Sequence, residues 1–137
     1  MSPDARGLLD TNAVILVGRL DPALLPDEPA ISTVTLAELS VGPLVVATEE
    51  ERARRLQHLQ LVEASFDAIP FDAAAARAFG GVSAALRRRG RKAGARALDA
   101  LIAATAIAHE MPLYTCNPDD FEGIDELTVR ALPHSDA

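Results

Sequence analysis

The chain has 137 residues, a length that fits one domain with its own hydrophobic core. Although 49% of the residues are hydrophobic, no apolar run approaches the roughly 18–20 residues of a membrane span, and the N-terminal segment does not read as a signal peptide. The single cysteine, Cys116, excludes an internal disulfide framework and a cysteine-rich zinc site. We therefore expect one domain over residues 1–137, with a loose tail from about residue 134, in a reducing cytoplasm.

Charge is unevenly distributed along the chain. The formal net charge of −7 by itself argues against nucleic acid as a partner. However, a single stretch, RRRGRKAGAR, contains six of the 13 lysine and arginine residues: Arg87, Arg88, Arg89, Arg91, Lys92 and Arg96. Such a cluster attracts polyanions locally whatever the overall sign, although a solvated connector between two helices explains it equally well.

The predicted elements alternate between strands and helices. Five short apolar runs read as strands: 7–10, 30–33, 67–71, 113–115 and 127–132. Helical patterns fill the intervals: 12–20, 35–47, 48–66, 72–90 and the stretch around Asp99 that Pro112 ends. This alternation predicts an α/β fold with a mostly parallel central sheet and right-handed crossovers.

Acidic residues occur where these strands and helices meet. Ligands of parallel α/β sheets bind beyond the carboxyl ends of the strands, so residues at these junctions should meet at one edge of the sheet. Those residues are Asp10 at the end of the first strand, Glu38 at the start of the helix after the second, Asp99 at the start of the helix before the fourth, and Asn117, Asp119 and Asp120 after the fourth.

Clustered carboxylates repel one another unless some are protonated or a cation neutralises them. Oxygen ligands without cysteine or histidine suit a hard cation such as Mg²⁺ or Mn²⁺. Such an ion binds phosphate oxygens and polarises a phosphodiester bond, and the nearby basic stretch would hold the rest of a polyanion. The acids and the basic flank together favour a nuclease.

Each acid also has an ordinary structural explanation. Glu38 fits a capping box with Thr35, Asp10 fits a helix cap, and Asp99 fits a helix cap or an ion pair with Arg96. One of the acids after the fourth strand fits the cap of a turn.

Two apolar stretches also allow two interpretations, because they fit either ordinary core or a groove for a partner helix. The residues are Leu16, Leu20, Leu24 and Leu25 in the first stretch, and Val41, Leu44 and Val45 in the second.

Four segments resemble the signature segments of the PIN domain, and more narrowly those of the VapC ribonuclease toxins of type II toxin–antitoxin pairs: LLDTN (8–12), TLAEL (35–39), LDALIAATA (98–106) and TCNPDDF (115–121). The resemblance covers nearly the whole chain. It implies a three-layer α/β/α sandwich with a mostly parallel sheet of about five strands. It also implies metal-dependent endoribonuclease activity, a VapB-like antitoxin that blocks the site, and a toxin homodimer.

The resemblance assigns roles to individual residues. Asp10 and Asp99 match direct ligands of Mg²⁺ or Mn²⁺, and Glu38 matches the third core acid, which would hold a metal-bound water as the nucleophile. Asp120 matches an outer catalytic acid. Supporting polar positions are matched by Thr11, Asn12, Thr115 and Asn117, and the candidate RNA contacts are the six basic residues of the stretch at 87–96.

The chain departs from the family pattern after the fourth strand. Asn117 stands where some members carry aspartate, and Cys116 stands where many carry arginine. The fourth acidic ligand therefore stays open between Asn117, Asp119 and Asp120, as does the number of metal ions. The alternative is a catalytically impaired PIN-fold module that binds RNA or protein. A haloacid-dehalogenase-like phosphatase is less consistent, because Asn12 stands where that group has its second acid.

Overall fold

The computed structural model describes residues 4–90 and 97–133. Five strands form the centre: β1 (Arg6–Leu9), β2 (Glu28–Ser32), β3 (Asp67–Ile69), β4 (Leu113–Thr115) and β5 (Val129–Ala131). The helices in the described ranges are α1 (Thr11–Ile15), α2 (Thr33–Val45), α3 (Glu49–Ser65), α4 (Ala73–Arg88) and α5 (Ala97–Ala108). Short 3₁₀ turns lie at Val17–Arg19, Pro22–Leu24 and Pro118–Phe121.

The sheet is parallel throughout, with the strand order β3-β2-β1-β4-β5. The chain leaves β1 toward β2 on one side, whereas β4 pairs with the other side of β1. This reversal makes the carboxyl end of β1 a topological switch point, which is where open α/β sheets bind their ligands. Asp10, the residue directly after β1, lies there.

Two apolar clusters cover the two faces of the sheet. Leu8 belongs to the cluster built with α4 and α5, and Leu9 belongs to the cluster built with α1 and α3. In the same way Leu113 and Tyr114 of β4 fall into different clusters. Because successive side chains of a strand point to opposite faces, the sheet is enclosed between helical layers. The predicted α/β/α sandwich is confirmed.

The helix caps correct one expectation from the sequence. Glu38 does not form a capping box with Thr35, because Thr35 is not the cap of α2. The helix begins at Thr33, and Ser32 caps it. The Ser32 hydroxyl accepts a hydrogen bond from the Val34 amide at 2.9 Å. Glu38 therefore lies in the second turn of α2, where capping no longer explains it.

The two apolar stretches differ in how far their side chains are buried. Leu16, Leu20 and Leu25 pack into the core. By contrast, the exposed fractions on α2 are 53% for Val41, 74% for Leu44 and 70% for Val45. Helix α2 runs to Val45 with Pro43 inside it.

The expected tail at 134–137 lies outside the described residues. Among the residues that the structure describes, no helix combines the length and apolar character needed to cross a membrane.

Candidate active site

Asp10 is the most buried acid at the carboxyl edge of the sheet, with only 5% of its surface exposed. It caps α1, since its Oδ1 accepts a hydrogen bond from the Ala13 amide at 2.9 Å. The hydroxyl of Thr115, at the end of β4, donates a second bond to it. That hydroxyl in turn accepts from the Asn117 amide at 2.9 Å. Thr115 thus holds Asp10 from the neighbouring strand β4, and the Asn117 amide supports Thr115.

Burial raises the pKa of the Asp10 carboxyl, and the hydrogen bonds from Thr115 and Ala13 only partly oppose this effect. The negative charges of Asp120 and Glu38 raise the pKa of Asp10 further. The charges of two other predicted catalytic acids, Asp120 and Glu38, therefore act on Asp10. Both Asp119 and Asp120 lie in the 3₁₀ turn after β4. The charge of Asp120 raises the pKa of Asp10, whereas Asp119 is exposed to solvent.

Glu38 is held by a chain of hydroxyl groups. The Thr11 hydroxyl donates to Glu38 Oε1 at 2.6 Å and lies 3.0 Å from the Thr35 hydroxyl. Since Thr11 has one hydroxyl proton and gives it to Glu38, Thr35 is the donor to Thr11. Thr35 is completely buried, so this chain anchors the half-buried Glu38 to the core.

Asp99 lies in the first turn of α5 and is half-buried. Its neighbour Leu98 lines a shallow depression together with Ala37, Glu38 and Val41 of α2. The start of α5 is therefore adjacent to the turn of α2 that carries Glu38. A carboxylate is electrostatically favoured at the start of a helix, which is compatible with a second role as a ligand.

The acids gather at one edge without forming a finished ligand cluster. Within residues 4–90 and 97–133, no three Asp, Glu, His or Cys side chains converge in a geometry that could hold a metal ion as they stand. The donor chemistry nevertheless fits a hard divalent cation. Asp10, Glu38 and Asp120 offer carboxylate oxygens, and burial and mutual repulsion disfavour ionised Asp10 without added positive charge.

The candidate RNA contacts are only partly described. Arg87 and Arg88 are exposed in the last turn of α4. Arg89 pairs with Glu122 at 3.3 Å, and its side chain runs over Gly123, where an added Cβ would overlap Arg89 Cδ. The end of α4 is thereby attached to the segment that follows Asp120. The other three basic residues, Arg91, Lys92 and Arg96, lie outside the described residues.

A groove of about 510 Å³ opens beside Glu38, between α1, α2 and α3. Thr11, Asn12, Ile15, Glu38, Leu39 and Gly42 line one side. Arg54, Arg55 and His58 of α3 line the other side. Asn12, an exposed residue, therefore belongs to this groove.

Sequence reasoning missed the α3 residues. Their spacing from Glu50 and Glu51 is that of ordinary surface ion pairs, and spacing does not reveal which face of α3 meets α2.

Comparisons with known proteins agree with this geometry. The PIN domain profile matches residues 8–127. Ribonuclease VapC5 of Mycobacterium tuberculosis is 43% identical over 124 residues, which cover 88% of this chain and 89% of that protein. Ribonuclease VapC of Rickettsia bellii is 33% identical over 110 residues, covering 80% and 81% respectively.

A solved structure shares the fold over almost its full length. The crystal structure of VapBC-5, a member of the VapBC family of toxin–antitoxin systems from Mycobacterium tuberculosis, matches with a TM-score of 0.81 and 37% identity. The match covers 93% of this chain and 98% of that one.

Proposed function

The chain belongs to the PIN domain family and is an endoribonuclease of the VapC type, and from this premise we propose that Asp10, Glu38, Asp99 and Asp120 form its active site. One observation carries the assignment. Asp10 is buried at the switch point of the sheet, and the charges of Glu38 and Asp120 act on it there. A fold without a use for these acids would have little reason to bury one carboxylate next to two others.

Divalent-metal dependence is general in this family, and we propose Mg²⁺ or Mn²⁺ as the ion. Asp10 and Asp99 are the proposed direct ligands, with Glu38 as the third core acid and Asp120 as an outer acid. When bound, the ion would supply positive charge that neutralises the acids and polarises the phosphodiester bond. Thr115 and Thr11 keep Asp10 and Glu38 in place, which limits the reorganisation needed for catalysis.

The proposed reaction is hydrolysis of an RNA phosphodiester bond. Glu38, oriented by Thr11, positions a water molecule and accepts its proton. The water oxygen bonds to phosphorus while the bond from phosphorus to one bridging oxygen breaks. That bridging oxygen leaves with a proton from solvent. Asn117 contributes through its backbone, because its amide supports Thr115, and it adds no charge.

RNA is the proposed substrate, and a VapB-like antitoxin is the proposed protein partner. The similar solved structure is a VapBC toxin–antitoxin protein. On this chain, the exposed side chains of Val41, Leu44 and Val45 form an apolar strip on α2 that suits an amphipathic partner helix. We further propose a homodimer, which light scattering of the purified protein would test. An RNA substrate and a lone buried thiol, Cys116, favour the cytoplasm.

Cleavage of total bacterial RNA by the antitoxin-free protein tests the function. Reactions would contain Mg²⁺ or Mn²⁺, or a chelator, and would compare the unaltered protein with Asp99→Asn. Discrete fragments that require both the metal and Asp99 are the expected result. Absence of both cleavage and Mn²⁺ binding would contradict the proposal and favour a binding module that keeps only the fold.

A further inference from the structure

The second wall of the groove beside Glu38 is cationic. We call Arg54, Arg55 and His58 the α3 wall; all three lie on one side of α3 and face α2 across the groove. The side chains of Arg54 and Arg55 are 64% and 51% exposed, so solvent and ligands reach them. The proposed catalytic acid and two accessible guanidinium groups therefore border the same groove.

Gly42 brings Arg55 close to the acid. A methyl group at position 42 would lie 3.2 Å from Arg55 Cδ and 3.3 Å from Nη1, so the Arg55 side chain lies against the backbone of α2 at this glycine. Gly42 follows Glu38 by one helical turn on the same face of α2. Arg55 is thus positioned about one turn, roughly 5–6 Å along the helix, from the proposed catalytic acid.

Glu51 holds both arginines through ion pairs. Its Oε1 accepts a hydrogen bond from Arg55 Nε at 3.0 Å, and its Oε2 pairs with Arg54 Nη2. Arg54 Nη1 also pairs with Glu50 at 3.3 Å. Ion pairs this exposed are individually weak, so a better anion can displace them.

We propose that Arg54 and Arg55 position the RNA substrate by binding its phosphates next to the scissile bond, in competition with Glu51. The proposal rests on the proposed ribonuclease function. RNA entering this groove brings phosphates toward Glu38 and Asp10, in a chain whose net charge is −7. Guanidinium groups one turn away offset that repulsion, and their planar donor set matches phosphate oxygens better than it matches a single carboxylate.

The rest of the groove suits a nucleotide. Ile15 and Leu39 provide an apolar side against which a base can lie, and Asn12 and His58 provide polar groups at the rim. A protein partner would need mainly the apolar strip on α2, whereas the α3 wall offers charge. The observations therefore favour RNA for the α3 wall.

The first experiment removes the two charges. The double variant Arg54→Gln/Arg55→Gln is compared with Arg52→Gln, which lies on the same helix, pairs with Glu49 at 3.6 Å and is not among the residues that line the groove. We expect the double variant to raise KM for RNA about tenfold with kcat changed less than about twofold, whereas Arg52→Gln changes neither. The dependence of log KM on log salt should lose a slope of about 1.4, because each phosphate contact to single-stranded RNA contributes about 0.7.

The second experiment removes the competing negative charge and should change KM in the opposite direction. Glu51→Gln removes an ion-pair partner of Arg55 and one of the partners of Arg54, so it should lower KM for RNA several-fold, whereas a merely structural ion-pair network would give no gain. Glu49→Gln is the matched control, since it removes one negative charge from the same first turn but pairs with Arg52 instead. Far-UV circular dichroism of each variant checks that α3 remains folded.

The outcomes separate this inference from the function on which it rests. Binding of a fluorescent single-stranded RNA of mixed sequence is measured in chelator, alongside cleavage with Mn²⁺. Cleavage that depends on metal and on Asp99, together with an unchanged KM in the double variant, would overturn the α3-wall proposal. That result would leave the ribonuclease function standing. Weaker RNA binding by the double variant, with neither cleavage nor Mn²⁺ binding by the unaltered protein, would support the wall and contradict the proposed function.

Discussion

The hydroxyl of Thr11 lies 2.6 Å from Glu38 Oε1 and joins the first residue of α1 to the second turn of α2. The same hydroxyl is 3.0 Å from that of the fully buried Thr35. Thr11 follows Asp10 directly, so one short segment both ends the central strand and fixes the two acids relative to each other. The site is therefore built on the rigid carboxyl edge of the sheet.

Replacing Thr11 with valine should reduce kcat more than it changes KM. The change preserves shape, removes the donor to Glu38 and leaves the buried Thr35 hydroxyl without this partner. A hydrogen bond to a charged group contributes about 1.5–3 kcal/mol, so we expect kcat to fall roughly 10- to 100-fold. Thr11→Ser keeps the hydroxyl and should retain most of the activity; equal losses in both variants would contradict the role given to this bond.

Asp10→Asn should separate the cap of α1 from the proposed metal site. Asparagine caps helices as well as aspartate does, so the bond from the Ala13 amide and the fold should remain. The negative charge is lost, so stabilisation of the protein by Mn²⁺ should disappear. A ligand at 100 times its Kd stabilises the folded state by about 2.7 kcal/mol, which a thermal melt with and without Mn²⁺ resolves.

Asp10→Ala provides the contrast, because it removes both the cap and the charge. We expect it to lose about 1 kcal/mol of stability even in chelator, where Asp10→Asn does not. A normal Mn²⁺-dependent shift of the melting temperature in Asp10→Asn would argue against Asp10 as a ligand.

Gly7→Ala should destabilise the fold although the backbone there is ordinary. A Cβ at position 7 would lie 2.5 Å from Tyr114 Cε1 and 3.0 Å from Pro26 Cγ. Tyr114 is fully buried and its hydroxyl is held by Asp4 at 2.5 Å, so its ring has little room to move. Overpacking of this kind costs about 1–3 kcal/mol, measurable by urea unfolding.

Gly80→Ala is the matched control for that substitution. Gly80 lies in α4 with no heavy atom within 4 Å of an added Cβ, so alanine should stabilise the protein by about 0.5–1 kcal/mol through helix propensity. The same chemical change is thus expected to have opposite signs at the two glycines.

The free energy of unfolding should fall at acid pH, because protonation of Asp4 weakens its interactions in the folded state. Hydrogen bonds from Arg130 and Tyr114 hold the pKa of Asp4 below its ordinary value of 3.8. A carboxyl with a lowered folded-state pKa contributes stability that is fully present above its unfolded-state pKa. That contribution is lost as pH falls below about 3.8 and through the lower folded-state pKa.

Asp4→Asn should therefore flatten the acid limb of the unfolding free energy, measured with urea from about pH 5 to about pH 2. Arg130→Gln removes the partner whose hydrogen bond lowers this pKa most, and should flatten the same limb. The double variant should add little to either single change; full additivity would show that the two residues do not act as a pair.

Much of the fold was readable from the sequence. Strands such as LYT (113–115) were located because short apolar runs between turn residues have few alternatives, and the alternation of elements predicted the parallel sheet that is observed. The resemblance carried by LLDTN and LDALIAATA predicted the family, which the comparisons confirm. The assignment of catalytic and metal-binding roles to Asp10, Glu38, Asp99 and Asp120 stays a prediction.

The sequence by itself determined the order of strands and helices, and that order brings the carboxyl ends of the strands to one edge whatever the packing details. Only the tertiary structure decided that Ser32 rather than Thr35 caps α2. It alone showed that the charge of Asp120, the neighbour of Asp119, raises the pKa of Asp10, and that Arg55 lies against Gly42. The reason is physical. A cap can shift by three residues at little energetic cost, and the face by which one helix meets another depends on long-range packing that local spacing does not encode.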